Sequence, residues 1–340
     1  MTLADPKERL HYLARLGAER SYLLRQLWGL DEGTLTTMPV TDHWTAKDIL
    51  AHIAFWDGFT AEKLSRVMNG RIQEIPSPYD SEAIEKQNRD RYRQFKEIPL
   101  EIVMATLLKE RSGLYALLKR FPDKDLQRQL RLASGQRTYA RAWVRHRWLH
   151  DAHHARALAN WRRQLPNDIK STRLGPKYIL RALLQSTRKE FLLTADLILE
   201  SERTNQAVCG IWTLKDLIGH LTDWEKVGLE GLQQLASGQS PEFDYRIAWP
   251  FDEFNNKNAA ARQNQPWPEV WGDFTETRQQ FMNLFDAMSE AQLTRQFIAP
   301  WQSPINGYAW LTVWLGHDHE HALDIRNSLN IKNWPQRLRH

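Results

Sequence analysis

Apolar residues recur along most of this chain at the three- and four-residue spacing of an amphipathic helix, and few runs alternate strictly. From Pro6 to Leu30, Leu10, Leu13, Leu16, Leu23, Leu24 and Leu27 approximate one face and predict a first helix. Gly33, Pro39 and Asp42 then mark a loop. A second helix begins near Thr45, where Thr45 and Asp48 make a capping-box-like start, and it fades near Asn69 and Gly70. Ile49, His52, Ile53 and Trp56 fall at i, i+3, i+4 and i+7, which puts His52 on the buried stripe. Ser81 to about Phe121 reads as a third helix with a predicted break near Pro99. Residues 123–138 read as a polar connection, and Tyr139 to Leu165 as a fourth helix.

The plan then repeats. Pro176 to about Glu200, Thr213 to about Gly238, Phe251 to about Met288 and Tyr308 to about Leu329 predict four more helices, the third broken near Pro266 and Pro268. Between the sets, 166–175 holds Pro, Gly and polar residues without apolar periodicity. The expected organisation is one bundle over 1–165, a linker over 166–175, a second bundle over 176–330 and a tail over 331–340. Four amphipathic helices joined by loops bury their stripes best as a bundle. The expected fold class is therefore all-α, two tandem four-helix bundles with no sheet.

A direct repeat supports that division. The stretch from Trp44 to Trp56 returns 168 residues later as Trp212 to Trp224, with Trp, Thr, Lys, Asp, His and Trp at six matched positions. Capping and the helix dipole account for Asp48 and Asp216. Lys47 and Lys215 read only as exposed first-turn residues. Trp56 and Trp224, one turn past the histidine, read as bundle core rather than pocket wall.

Composition narrows the function classes. Within 340 residues, 42% are hydrophobic and 26% charged, ordinary for a globular protein. The single cysteine, Cys209, excludes an intrachain disulfide and is compatible with a reducing cytoplasm. Met1 to Arg9 is charged and lacks an apolar signal core, and no run of about 18 apolar residues predicts a membrane span. The net charge of +5 is uneven: 1–165 carries 28 Lys+Arg against 20 Asp+Glu, and the remainder 18 against 21. Arg137, Arg141, Arg145, Arg147, Arg156, Arg162 and Arg163 make the first half basic enough to raise DNA as a partner, although no DNA-binding motif accompanies them. A solvated basic surface is the simpler reading. Fifteen Trp suggest aromatic core contacts or aromatic-lined pockets.

The chemistry lies in the histidines. His150 and His154 are four apart on the fourth helix, and His317 and His321 match them at an offset of 167. Asp151 matches Asp318, and Trp143 matches Trp310. Two imidazoles at i, i+4 face one bundle interior, and a third from a facing helix completes a three-nitrogen site. Three protein ligands leave a position open for water or substrate, as in catalytic rather than structural metal sites. The candidate metal ligands are His52, His150 and His154, then His220, His317 and His321. Imidazole suits Zn or Ni first, with Fe and Cu as alternatives. His153 and His319 have no histidine counterpart and read as surface residues. His146 is left out because Val313 stands at its counterpart. Cys209, in a loop opposite Thr41 of the first half, is not expected to act as a nucleophile.

These motifs resemble the DinB-like superfamily, most closely its ClbS/DfsB-type branch, through Trp44, Lys47, Asp48, His52, Trp56 and again Trp212, Lys215, Asp216, His220, Trp224, each with its downstream His-x-x-x-His. The resemblance covers essentially the whole chain as two copies. It implies a four-helix bundle in which one His of the second helix and two of the fourth hold a divalent metal. It also implies relatives that transfer low-molecular-weight thiols, isomerise maleylpyruvate or disarm reactive small molecules. The expected function is hydrolysis of, or thiol transfer to, a reactive small molecule, a resistance role. The alternatives are a non-catalytic protein that sequesters its ligand, one site per bundle or one trapped by an internal pseudo-dimer, and a DNA-protecting protein.

Overall fold

The computed structural model describes residues 7–76, 81–171, 175–242, 251–332 and 334. In chain order it contains α1 (Lys7–Arg25), α2 (Glu32–Thr37), β1 (Pro39–Thr41), β2 (Trp44–Thr45), α3 (Ala46–Met68), α4 (Ser81–Phe95), α5 (Leu100–Arg120), α6 (Asp123–Gln127), β3 (Gln129–Arg131), β4 (Arg137–Tyr139), α7 (Ala140–Gln164) and α8 (Asn167–Ser171). There follow α9 (Lys177–Ala195), β5 (Ala207–Cys209), β6 (Trp212–Thr213), α10 (Leu214–Ala236), α11 (Phe251–Ala261), α12 (Trp267–Ala287), α13 (Glu290–Thr294), β7 (Gln296–Ile298), β8 (Pro304–Asn306) and α14 (Gly307–Ser328). The architecture is all-α, in two compact units, Met1–Ser186 and Thr187–His340, divided within α9. Of the segment 166–175, Asn167–Ser171 forms α8 and 172–174 lie outside the described residues. Of 331–340, only 331, 332 and 334 are described.

The long helices follow the apolar spacing. In α3, Ile49, Leu50, Ile53, Leu64 and Val67 are buried. Burying each such side chain contributes about 1.5–3 kcal/mol, so the stripe outweighs the cap, worth about 1 kcal/mol, in fixing which way α3 faces. The cap sets where it starts: Thr45 Oγ1 accepts from the Asp48 N–H, and the Asp48 carboxylate accepts from Thr45 N–H at 2.9 Å. Thr213 and Asp216 repeat this box. The third predicted helix is two helices in each unit, α4 with α5 and α11 with α12, with Pro99 and Pro266 at the N-caps of α5 and α12. The first ends at Arg25, yet Leu27 and Leu30 beyond it remain fully buried.

The expectation of no sheet is corrected. Among the described residues there are four two-stranded antiparallel ribbons, β1–β2, β3–β4, β5–β6 and β7–β8. Their strands are two or three residues long, too short for an alternation to show. The connection 123–138 is accordingly not irregular: α6 and β3 each bury one leucine, Leu126 and Leu130, in an otherwise polar stretch. The β1–β2 and β5–β6 turns need a left-handed residue, supplied by Asp42 (φ 48°) and Gly210 (φ 56°).

In the first unit α3 packs against α5 and α7, and α1 against α5 and α7. In the second, α10 packs against α12 and α14, and Phe191 of α9 meets Phe274 of α12 in a core with Leu217, Leu221 and Ile325. Buried ions tie the four long helices of each unit. Arg20 of α1 reaches Asp57 of α3 at 2.8 Å and Asp151 of α7 at 3.1 Å, and Arg111 of α5 reaches the same two carboxylates at 2.9 and 2.8 Å. In the second unit Arg188 of α9 and Arg278 of α12 both bond Glu225 of α10 and Asp318 of α14, at 2.6–3.1 Å. Two arginines against two carboxylates balance the direct ion pairs of each network, as burial demands, and in the first unit the buried Arg147 adds a third guanidinium near Asp57 and Asp151.

Candidate metal centres

Helix α3 carries His52, and α7 carries His150 and His154. His52 Nε2 lies 2.8 Å from His150 Nε2, which lies 3.2 Å from His154 Nε2. In the second unit His220 Nε2 of α10 lies 2.8 Å from His317 Nε2 of α14, with the ring of His321 centred 5.0 Å from that of His220. All six sequence-predicted histidines are thus gathered as two triads whose ligand atoms lie within 4.8 Å of one another.

The donor set fits a divalent ion. Metal–imidazole bonds of about 2.0–2.1 Å at tetrahedral or right angles put neighbouring nitrogens about 2.9–3.4 Å apart, close to the spacings found here. The tautomers agree. Asn255 Oδ1 accepts from Trp224 Nε1 at 2.9 Å, which identifies that atom as the amide oxygen. His220 Nδ1, 3.2 Å from it, must then carry the proton, leaving the Nε2 lone pair turned into the triad. Asn88, which accepts from Trp56 Nε1 at 3.2 Å and bonds His52, holds the same place in the first unit. His321 Nδ1 donates to Asp324 at 2.8 Å. In the second triad the Nε2 lone pairs of His220 and His321 are therefore both free for a shared cation.

Protonation agrees as well. Burial, then neighbouring positive charge, pushes His52 down to about 3, His154 to about 4 and His220 to about 3. Burial holds His150 and His317 well below the ordinary histidine value. These five rings are neutral at pH 7, the state a metal ligand requires. Trp44 and Trp212 pack their rings 5.1 and 4.9 Å from His52 and His220.

Other expectations change in the structure. His153 is exposed as expected, but His319 is not a surface residue: it is buried, with Nδ1 3.1 Å from Glu190, which also takes Arg326 Nη1 at 2.7 Å. The first half has Tyr22 and Ala159 at those partner positions, so the repeat gave no sign of the pairing. His146 stacks beside His150 at 6.0 Å and bonds Arg147, outside the triad. Cys209 lies on β5, not in a loop, and its thiol bonds Asp324 at 3.3 Å. Burial, then Asp324, raises that thiol to about 11, against a nucleophilic role. Trp56 and Trp224 are only partly buried, and Trp224 does line a cavity.

Lys47 and Lys215 acquire a role. Lys47 Nζ donates to the carbonyls of Lys96 and Ile98, and Lys215 Nζ to those of Gln263 and Gln265, holding the chain between the two halves of the broken third helix. The asparagines were also missed. Asn88 and Asn255 match at the 167-residue offset that pairs the histidines, and a full scan at that offset would have found them.

Among the described residues no helix is long and apolar enough to cross a membrane. Two helical units in tandem, each bringing one imidazole from its second long helix to two on its last, define a paired bundle protein with a three-histidine centre in each copy. The chain matches the DinB superfamily over residues 15–158 and 183–325 and belongs to it. No curated protein and no solved structure matches the chain.

Proposed function

We propose that the chain holds a divalent metal, Zn or Ni before Fe or Cu, at His52, His150 and His154 and at His220, His317 and His321. In this reading it hydrolyses a reactive small molecule or transfers a low-molecular-weight thiol to it, in the cytoplasm. The observation that carries it is the convergence of neutral Nε2 atoms at 2.8 and 3.2 Å in the first triad and 2.8 Å in the second. A divalent metal bound there supplies Lewis acidity, lowering the pKa of a bound water or thiol so that a nucleophile exists at neutral pH. The chain's own residues do the rest. Asn88 and Asn255 orient His52 and His220, Asp324 orients His321, and the flanking indoles restrict water. A detoxifying role of the ClbS/DfsB type follows the same motif resemblance.

Sequestration without turnover is the second reading, favoured by the indole-lined cavity of the second unit. The two are separated by incubating the metal-loaded chain with excess small epoxides or Michael acceptors, with and without a low-molecular-weight thiol. Product in molar excess over protein, abolished in His150→Ala/His317→Ala, supports the enzyme; capture that stops at stoichiometric amounts supports sequestration. The DNA reading is weaker. Of its seven arginines, Arg147 is buried and Arg162 is bonded to the Gln26 carbonyl.

A further inference from the structure

The two centres have different surroundings. Beside the second triad lies a cavity of about 280 Å³, walled among the described residues by Trp224, Val227, Trp301, Trp310, Val313 and Trp314 with two further apolar residues and no charged one. It meets the triad through Trp224, whose ring is centred 6.5 Å from that of His220. Trp301 stacks parallel to Trp310 at 5.7 Å, and Trp310 Nε1 donates to the Gly228 carbonyl at 3.3 Å. Two glycines of α10 seat these rings: a Cβ at Gly228 would collide with the Trp314 indole, and one at Gly231 with that of Trp310.

The repeat shows that this is a concerted difference. At the 168-residue offset Gly228 and Gly231 correspond to Thr60 and Lys63; at 167, Trp301, Val313 and Trp314 correspond to Ser134, His146 and Arg147. In the first unit Lys63 Nζ stands 4.1 Å over the Trp143 ring, and Arg147 is buried against His146. A cationic wall thus occupies the place that glycine and indole open in the second unit.

We propose that the cavity of the second unit binds a neutral, flat, apolar molecule of about two fused rings, a class that the matching position of the first unit does not accept. This rests on the proposed function only in placing substrate beside the histidines. A cavity of about 150 Å³ takes benzene, so about 280 Å³ has room for a bicyclic ring system. Among the described residues of this wall an anion would lose its water and meet no cation, whereas a flat apolar ring keeps its stacking contacts.

The test is calorimetric titration of the full chain with indole and with indole-3-carboxylate, in metal-loaded and metal-stripped protein. The variants are Trp301→Ala and Val313→Asp, both at cavity positions more than a third exposed, and unfolding melts of each check that the fold is kept. Indole is expected to bind at one equivalent with or without metal, and each variant and the added carboxylate to weaken binding about tenfold or more. No indole binding by the unmodified chain, undiminished binding in both variants, or equal affinity for the carboxylate overturns the proposal. Metal content of the same samples is measured separately. Metal-loaded protein that ignores indole overturns only this proposal, and protein that takes indole but never metal overturns only the metal reading.

Discussion

His150 and Asp151 are adjacent in sequence and face different partners. His150 turns its Nε2 to His52 at 2.8 Å, while Asp151 accepts from Arg20 and Arg111 in the buried ion network. His317 and Asp318 repeat the division. The helix carrying two of the three imidazoles is therefore locked in rotation by the ion pair beside them.

Removing one carboxylate should show how much that lock carries. Asp57→Ala leaves Arg20 and Arg111 each short of a buried partner, and breaking a buried pair costs about 3–5 kcal/mol. Asp57→Glu, the residue type found at Glu225, should retain most of the stability. Denaturant unfolding measures both, and a loss under about 1 kcal/mol for Asp57→Ala would contradict the network's role.

The depressed histidines give metal binding an unusual pH profile. A ring whose folded pKa lies near 3 or 4 takes no proton at pH 6, so protons do not compete with metal there. In His317→Ala, which leaves only the triad of His52, His150 and His154, affinity followed by competition with a chromophoric chelator should stay level from pH 8 to 6 and fall below about 5. Ordinary histidines near 6.5 would lose affinity already between pH 7 and 6, and that result would contradict these environments. The metal-free protein has the corresponding stability profile. The unfolded chain takes up protons below about 6.5 and the folded rings do not, so stability is full above that pH and declines as pH falls toward 3.

The two centres should differ in affinity. Asp324 backs His321, whereas Ala157 stands at its counterpart behind His154. Losing such an outer partner lowers metal affinity about 10–100-fold. Asp324→Ala should weaken one of two binding steps by that factor and leave the other unchanged. An equal effect on both steps, or none, would count against the assignment.

Two glycine substitutions should move stability in opposite directions. Gly228→Ala drives a methyl into the Trp314 ring and should cost about 1–3 kcal/mol. Gly113→Ala, in α5 with nothing within 4 Å of the new methyl, should stabilise by about 0.5–1 kcal/mol. Thermal melts of both variants check the pair.

The long helices and the six histidines were legible because both follow a local period and recur in the second half. The ribbons were not, since two- and three-residue strands leave no alternation to detect. Nor was the ion network: Arg20 and Asp151 are 131 residues apart, and nothing near either one names its partner. His319 was misplaced because its burial depends on Glu190 and Arg326, which only the second half possesses.

The most direct measurement of the central claim is elemental analysis of the untagged chain purified without added metal, followed by titration with Zn and Ni. Two triads predict up to two equivalents of divalent metal per chain, lost from both sites in His150→Ala/His317→Ala. A chain that carries no metal and takes none up on titration would contradict it.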